Sequence, residues 1–239
     1  MSEPTDIILL GGLWLDGTIW DDVVIALESL GHRAVPLTLP GQGDGASSAG
    51  LEDQVDAVLT AVDGAPGRVV VVGHSAACTL AWLAADARPG ALAGVVLIGG
   101  FPSADGERYA DFFPMRDGAM PFPGWEPFEG PDSADLDETA RARIADGAVP
   151  VPEGVARGVV RLRDERRFDV PVTLICPEFT PSQAREWIDG GDLPELARAH
   201  DLRLVDLDTG HWPMVSAPTT LAVAIAATTT GPPPSATTA

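Results

Sequence analysis

The sequence predicts an α/β fold: a mostly parallel six-stranded sheet flanked by helices, with a lid inserted between its fourth and fifth strands. Six short apolar runs read as buried strands: Ile7–Leu10, Arg33–Leu39, Val69–Gly73, Leu92–Gly99, Val170–Cys176 and Leu202–Leu207. Helical patterns lie between most of them, and strand–helix alternation makes a parallel sheet with right-handed crossovers. The alternation lapses once, between Phe101 and Asp169, where prolines and aromatic residues dominate the first part of the segment.

Taken in order, Ile7–Leu10 ends in Gly11-Gly12-Leu13-Trp14, and Trp20 follows. Trp20–Leu30 is amphipathic and stops at Gly31; Leu51–Val62 has apolar residues at helical spacing and stops at Gly64. The β-branched run Val69–Val72 halts at Gly73, Ser75 sits at the turn, and Ala76 and Ala77 open a helix-forming stretch. Ser75–Arg88 is apolar nearly all round, as a helix buried between sheet and lid must be. Within the insertion, Asp135–Ala145 and Val155–Arg167 can be helical, while Pro114, Pro121, Pro123, Pro127 and Pro131 break any long helix. Gln183–Ala199 carries Gly190-Gly191 and Pro194, so two short helices are expected, and Thr219–Ala227 closes the fold. From Thr228 the chain is too polar and proline-rich to fold, and a disordered tail is expected. The organisation is therefore a core in two parts, 1–100 and 170–227, a lid at 101–169, and a tail at 228–239.

The chain of 239 residues has room for one domain with a large core. Its 45% hydrophobic and 21% charged residues are ordinary for a globular protein, but its net charge of −20 is not. That charge argues against nucleic-acid binding and against adhesion to an anionic membrane. All basic residues are arginine, and lysine and asparagine are absent, a bias read as mutational pressure on the genome. Two cysteines, Cys78 and Cys176, make no disulfide framework and read as buried thiols. No group of Cys, His and carboxylates has metal-ligand spacing, so no metal is expected. The N-terminus has no basic region followed by an apolar stretch, and a cytoplasmic protein is expected by default.

A strand that turns sharply into a helix with serine at the apex is a nucleophile elbow. The turn lifts the hydroxyl clear of the sheet and aims the first amides of the helix at the group it attacks. Backbones crowd there, so small residues are needed two before and two after the serine; Gly73 and Ala77 fill those places. A hydroxyl is a poor nucleophile at neutral pH, and an imidazole is the usual base that activates it. His211, in Asp-Thr-Gly-His-Trp-Pro just after the last apolar run, is the candidate. His74 adjoins Ser75 and reads as a structural contact pointing to the opposite side of the strand end.

Four segments in the same order resemble the α/β-hydrolase fold family, over roughly Asp6 to Ala227. They are the Gly-His-Ser-Ala-Ala elbow, the histidine near the C-terminus, Gly11-Gly12-Leu13-Trp14 with Trp20, and Pro40-Gly41-Gln42-Gly43. The usual motifs are G-x-S-x-G and H-G-x-W, so Ala77 and Gly11 are departures. The resemblance implies an oxyanion hole from the amides of Leu13 and Ala76. The chain begins almost at the family's third strand, so a six-stranded sheet without the first two antiparallel strands is expected.

The triad of such a site needs a carboxylate to orient the imidazole and balance its charge. In most of the family an aspartate follows the strand that is fifth here, but this chain reads Pro177-Glu178-Phe179-Thr180, with Thr180 at the usual place. Glu178 is the first candidate, Asp105 after the preceding strand is the second, and no acid at all is the third. The aromatic residues of the lid and its surroundings, with Trp14, Phe112, Phe113, Trp125 and Trp212 as candidate substrate contacts, favour an apolar pocket or serve to fasten the lid. The resemblance implies a cofactor-independent serine hydrolase acting on an ester, thioester or lactone of an apolar small molecule, as monomer or homodimer. The fold also hosts non-hydrolytic lyases, cyclases and isomerases, and receptors that have lost catalysis. The missing aspartate leans toward the first alternative, and intact Ser75 and His211 lean against the receptor.

Overall fold

The computed structural model describes residues 5–229. Along the chain, β1 (Thr5–Leu10), α1 (Asp21–Ser29), β2 (Arg33–Leu37), α2 (Leu51–Asp63), β3 (Arg68–His74), α3 (Ala77–Ala87) and β4 (Leu92–Ile98) form the first part of the core. The insertion carries β5 (Ala119–Met120), α4 (Glu138–Gly147), β6 (Val151–Pro152) and α5 (Glu153–Ala156). The core resumes with β7 (Val172–Cys176), α6 (Pro181–Gly190), α7 (Pro194–Ala197), β8 (Leu202–Asp206), α8 (Pro213–Ser216) and α9 (Pro218–Thr229).

Six strands pair in parallel in the order β2-β1-β3-β4-β7-β8. The chain steps outward from β1 to β2, returns across β1 to β3, and continues the other way. The loops after β1 and β3 thus part in opposite directions, and the crevice between them is where open α/β sheets bind ligands. Period-two alternation divides the strand residues between two cores. Ile8, Leu10, Val71, Leu97 and Leu174 pack on the face covered by α2, α3 and the insertion, whereas Ile7, Leu9, Val70, Val72 and Ile98 pack with α1 and α9. Helix α3 is buried from Ala77 to Asp86, in keeping with its lack of a polar face.

Two expectations need correction. Of Val155–Arg167, only Val155 and Ala156 at the end of α5 are α-helical, and a 3-10 turn follows at Glu165–Asp169. The middle of the segment pairs instead with the start of the insertion: Tyr109 and Ala110 amides donate to Gly158 and Ala156 carbonyls, and Val160 donates to Glu107, at 2.8–2.9 Å. Gly158 permits this, because a Cβ there would overlap the Leu51 side chain. The predicted tail does not start at Thr228: α9 runs through Thr229, and the rest of the tail, 230–239, lies outside the described residues. Among the described residues, no helix is long and apolar enough to cross a membrane.

The end of the insertion is tied down by a buried ion network. Arg167 is 5% exposed; its Nε donates to Glu195 Oε2 at 2.8 Å and its guanidinium also reaches Asp86 Oδ1 at 3.3 Å. Trp82 Nε1 donates to the same Glu195 oxygen at 2.8 Å. Asp86 also accepts the amides of Arg163 and Asp164 at 2.8 and 2.9 Å. Removing the cation leaves two buried carboxylates uncompensated. Arg167→Met is therefore expected to lower the free energy of urea unfolding by about 3–5 kcal/mol; a loss under about 1 kcal/mol, the range of an exposed pair, would refute this role.

Candidate active site

Ser75 follows the end of β3 with φ 55°, in the left-handed region that costs a side-chain-bearing residue about 1–2 kcal/mol. Its amide donates to the Ile98 carbonyl at 2.8 Å, and its carbonyl accepts from Cys78 at 3.0 Å. Neighbouring backbone comes so close that three glycines are needed. A Cβ on Gly73 would overlap the Ala77 carbonyl, one on Gly100 would overlap the Ser75 carbonyl, and one on Gly12 would lie 3.0 Å from Ser75 Cβ. Gly12 thereby lies against His74 and Ser75, and Ala76 stands at the start of α3. Ala77 itself is fully buried and accommodated.

His211 Nδ1 lies 2.7 Å from Glu178 Oε1, with both side chains 14% exposed. Of the three possibilities for the acid, the structure thus brings Glu178 to the imidazole. Asp105 instead accepts the Leu162 amide at 2.9 Å and fastens the insertion. Thr180, at the family's usual acid position, caps α6 by accepting the Gln183 amide at 3.2 Å. Gly99, at φ 56°, makes room: a Cβ there would lie 3.2 Å from both Glu178 Oε2 and His211 Nδ1. Because Nδ1–H faces the carboxylate, Nε2 keeps the lone pair that can accept a proton. Gly99 faces His211 and Gly100 faces Ser75, so two adjacent residues of one loop lie against the two side chains' neighbourhoods.

His74 is buried and its Nε2–H donates to the His211 carbonyl at 2.7 Å, with the ring centroids 4.8 Å apart. His74 thus makes a structural contact, and its partner is the backbone of His211. Burial pushes the His74 pKa well down, the charge of His211 pushes it the same way, and the ring stays neutral. Asp132 supplies the carbonyl that accepts the His211 amide at 2.7 Å. Its carboxyl is raised above the usual range by burial and by Glu178, with His211 opposing. Cys78 and Cys176 are buried; burial drives the Cys78 thiol far up and pushes Cys176 to about 12. Among the described residues, no group of three or more His, Cys, Asp or Glu is placed to hold a metal ion.

The aromatic candidates form one array, with one exception. Trp14, held at φ 65°, packs on Phe113 and Phe122 at 5.4 Å, and its Nε1 donates to the Met120 carbonyl at 3.0 Å. Phe128 joins Trp14 to Trp212, Trp125 packs on Trp212 at 5.2 Å, and Trp212 lies 4.9 Å from His211. Phe112 is the exception: it is 64% exposed and takes no part in the array. The chain turns tightly there, with the Phe112 amide donating to the Ala110 carbonyl at 2.8 Å, and Phe113 packs on Trp14 while its neighbour faces solvent. Beside Leu13 and Trp14, a small cleft is lined by Tyr109, Val151 and Val155. Sequence reasoning missed Gly99, Gly100, Asp132 and Asp135. A Gly-Gly pair closing an apolar strand is a legible sign of close backbone approach, whereas the two aspartates arrive through the tertiary fold and leave no local signal.

A family model described as "Alpha/beta hydrolase family" matches residues 7–224. No curated protein matches the chain by sequence. Among solved structures, a pyrethroid hydrolase from Sphingobium faniae is 24% identical with a TM-score of 0.70, over 95% of this chain and 98% of that one. An extracellular alpha/beta-hydrolase from a Paenibacillus species is 16% identical with a TM-score of 0.74, over 94% and 99%. A methylesterase from Arabidopsis is 13% identical with a TM-score of 0.72, over 93% and 98%. At these identities the likeness is one of fold.

The glycine contacts and the buried thiols can each be checked directly. Gly100→Ala is expected to destabilise the protein by about 1–3 kcal/mol through overpacking against the Ser75 carbonyl, measured by thermal unfolding; an unchanged melting temperature would show that the loop yields freely. Neither cysteine is expected to react with a thiol-disulfide reagent at pH 8 in the native state, and both should react once urea unfolds the chain. Rapid native labelling would contradict the burial of these thiols.

Proposed function

The chain belongs to the alpha/beta hydrolase family, and on that premise we propose that it is a serine hydrolase cleaving an ester, thioester or lactone of an apolar small molecule. The observation that carries the reading is the 2.7 Å contact of His211 Nδ1 with Glu178, in a chain that also holds Ser75 at an elbow. Ser75 Oγ attacks the carbonyl carbon while His211 Nε2 takes the hydroxyl proton. Glu178 balances the imidazolium, and the amides of Leu13 and Ala76 receive the oxyanion. Collapse expels the alcohol or thiol, which leaves with the proton from His211, and the acyl group stays on Ser75. Water, deprotonated by His211, then attacks the acyl carbon, and the acid departs as Ser75 recovers its proton. The ring array from Trp14 to Trp212 supports an apolar substrate, with Phe113 and Trp125 as further contacts. The esterase-type activities named for the pyrethroid hydrolase and the methylesterase support ester cleavage.

Intact-mass detection of a fluorophosphonate adduct tests the reading. Wild type is expected to gain one adduct, and Ser75→Ala and His211→Ala none. Glu178→Gln, which keeps the shape but removes the charge, is expected to lower turnover of a p-nitrophenyl ester by about a thousand-fold or more. A folded wild type that takes no label would overturn the acyl-enzyme route and favour proton transfer without a covalent intermediate. Undiminished esterase activity in Ser75→Ala would remove Ser75 from the reaction.

A further inference from the structure

The loop that carries His211 is held by the lid as well as by the core. The Gly210 amide donates to Asp135 Oδ2 at 2.7 Å, and the His211 amide donates to the Asp132 carbonyl at 2.7 Å. The fit is close: a Cβ on Gly210 would overlap both Asp135 Oδ1 and the Asp132 carbonyl. On the opposite side, His74 holds the His211 carbonyl, and Glu178 holds the ring. The lid therefore supplies the hydrogen-bond partners of two consecutive amides leading into His211, and the core supplies those of its carbonyl and side chain.

This lid segment is itself braced. Ser133 is fully buried, its Oγ donates to the Phe128 carbonyl at 2.7 Å, and Arg141 donates to the Ser133 carbonyl at 2.8 Å. Phe128 in turn packs on Trp212, the residue after His211. A cover that only shields the pocket has no need to bond to the loop of the base. A few tenths of an ångström at Gly210 pass directly into the position of the imidazole, because no residue lies between the bond and His211.

Resting on the reading of His211 as general base, we propose that Asp135 is a positioning residue through which the lid holds His211 in register with Ser75. Asp135 accepts one amide and does not touch the reacting atoms. An amide oxygen in the same place can accept that bond without the charge, so asparagine keeps the device and alanine removes it. Loosening a cover changes KM and substrate range, whereas loosening the base changes acylation and kcat.

The test uses the full chain with Asp135→Ala and Asp135→Asn, and Ser75→Ala as blank. It follows fluorophosphonate labelling rate, kcat and KM on a p-nitrophenyl ester, melting temperature, and amide hydrogen exchange of the peptide spanning Gly210 and His211. Asp135→Ala is expected to lower kcat and the labelling rate about ten-fold, with KM within about two-fold and exchange of the peptide accelerated. Asp135→Asn is expected to recover most of each loss. Wild-type kcat in Asp135→Ala, a loss confined to KM, or an asparagine variant as impaired as alanine overturns the proposal. Should Asp135→Ala not fold, Asp135→Glu, which displaces the oxygens by one methylene, takes its place with the same expectations. If wild type takes no label and turns over no ester, the hydrolase reading fails, and exchange alone judges the clamp: equal exchange in wild type and Asp135→Ala overturns it as well.

Discussion

Ser75 stands in a left-handed backbone conformation one residue beyond a central strand, and the sheet on both sides is what keeps it there. β3 pairs with β1 as far as Leu10 opposite Gly73, and with β4 as far as Ile98 opposite His74. The Ser75 amide continues the ladder by one more bond, to Ile98. The register of β3 is fixed where it ends, since only Gly73 fits against the Ala77 carbonyl and a shift of one residue would put a valine there. The strain at the apex, about 1–2 kcal/mol, is thus held by register and not by local preference. Each backbone that meets the apex must then come without a side chain, and Gly12, Gly73 and Gly100 supply the three approaches.

The same crowding shapes the electrostatics. Two histidine rings lie 4.8 Å apart in a chain whose net charge is −20. Burial keeps His74 neutral, so an imidazolium formed on His211 faces the carboxylate of Glu178 and not a second cation. His74 can then serve as a plain donor to the His211 carbonyl. Its other ring nitrogen, Nδ1, is buried against Gly12, where a Cβ would come within 2.9 Å. One side chain therefore spaces the elbow, the Gly12 loop and the His211 loop at once.

Much of this was legible in the sequence because it is local. Leu51–Val62 appears as Leu51–Asp63 and Val69–Gly73 as Arg68–His74, since period and stop signals act within the segment. Ser75 is visible in its small neighbours, and His211 in its place after the last strand. What was not legible depends on distant partners. Helix propensity over Val155–Arg167 yields to pairing with residues 106–110, which no local pattern announces. Phe112 and Phe113 are equivalent as letters; the path of the backbone decides that only the second meets Trp14. Glu178 and Asp105 are both loop carboxylates after strands, and only the fold shows that one faces His211 while the other secures Leu162.

The place of the carboxylate that meets His211 follows from the turn after β7. After β7, Thr180 gives its hydroxyl to the start of α6, and Gln183 returns the bond by accepting the Thr180 amide at 2.8 Å. A residue committed to a capping box cannot also face the imidazole. Just before Thr180, Phe179 anchors the turn against Phe101 and Trp187, at 5.4 and 5.2 Å. With both of these residues engaged, the carboxylate must come from two residues nearer the strand, where an aspartate would be one methylene shorter than the glutamate present. Glu178 spans the distance, but its longer side chain needs space beside the strand end, which Gly99 leaves by lacking a Cβ. A carboxylate at 178 and not at 180 therefore couples the choice of glutamate to a glycine in a different strand's loop. The Gly99-Gly100 pair then serves two neighbours, one residue making room for Glu178 and the next for Ser75.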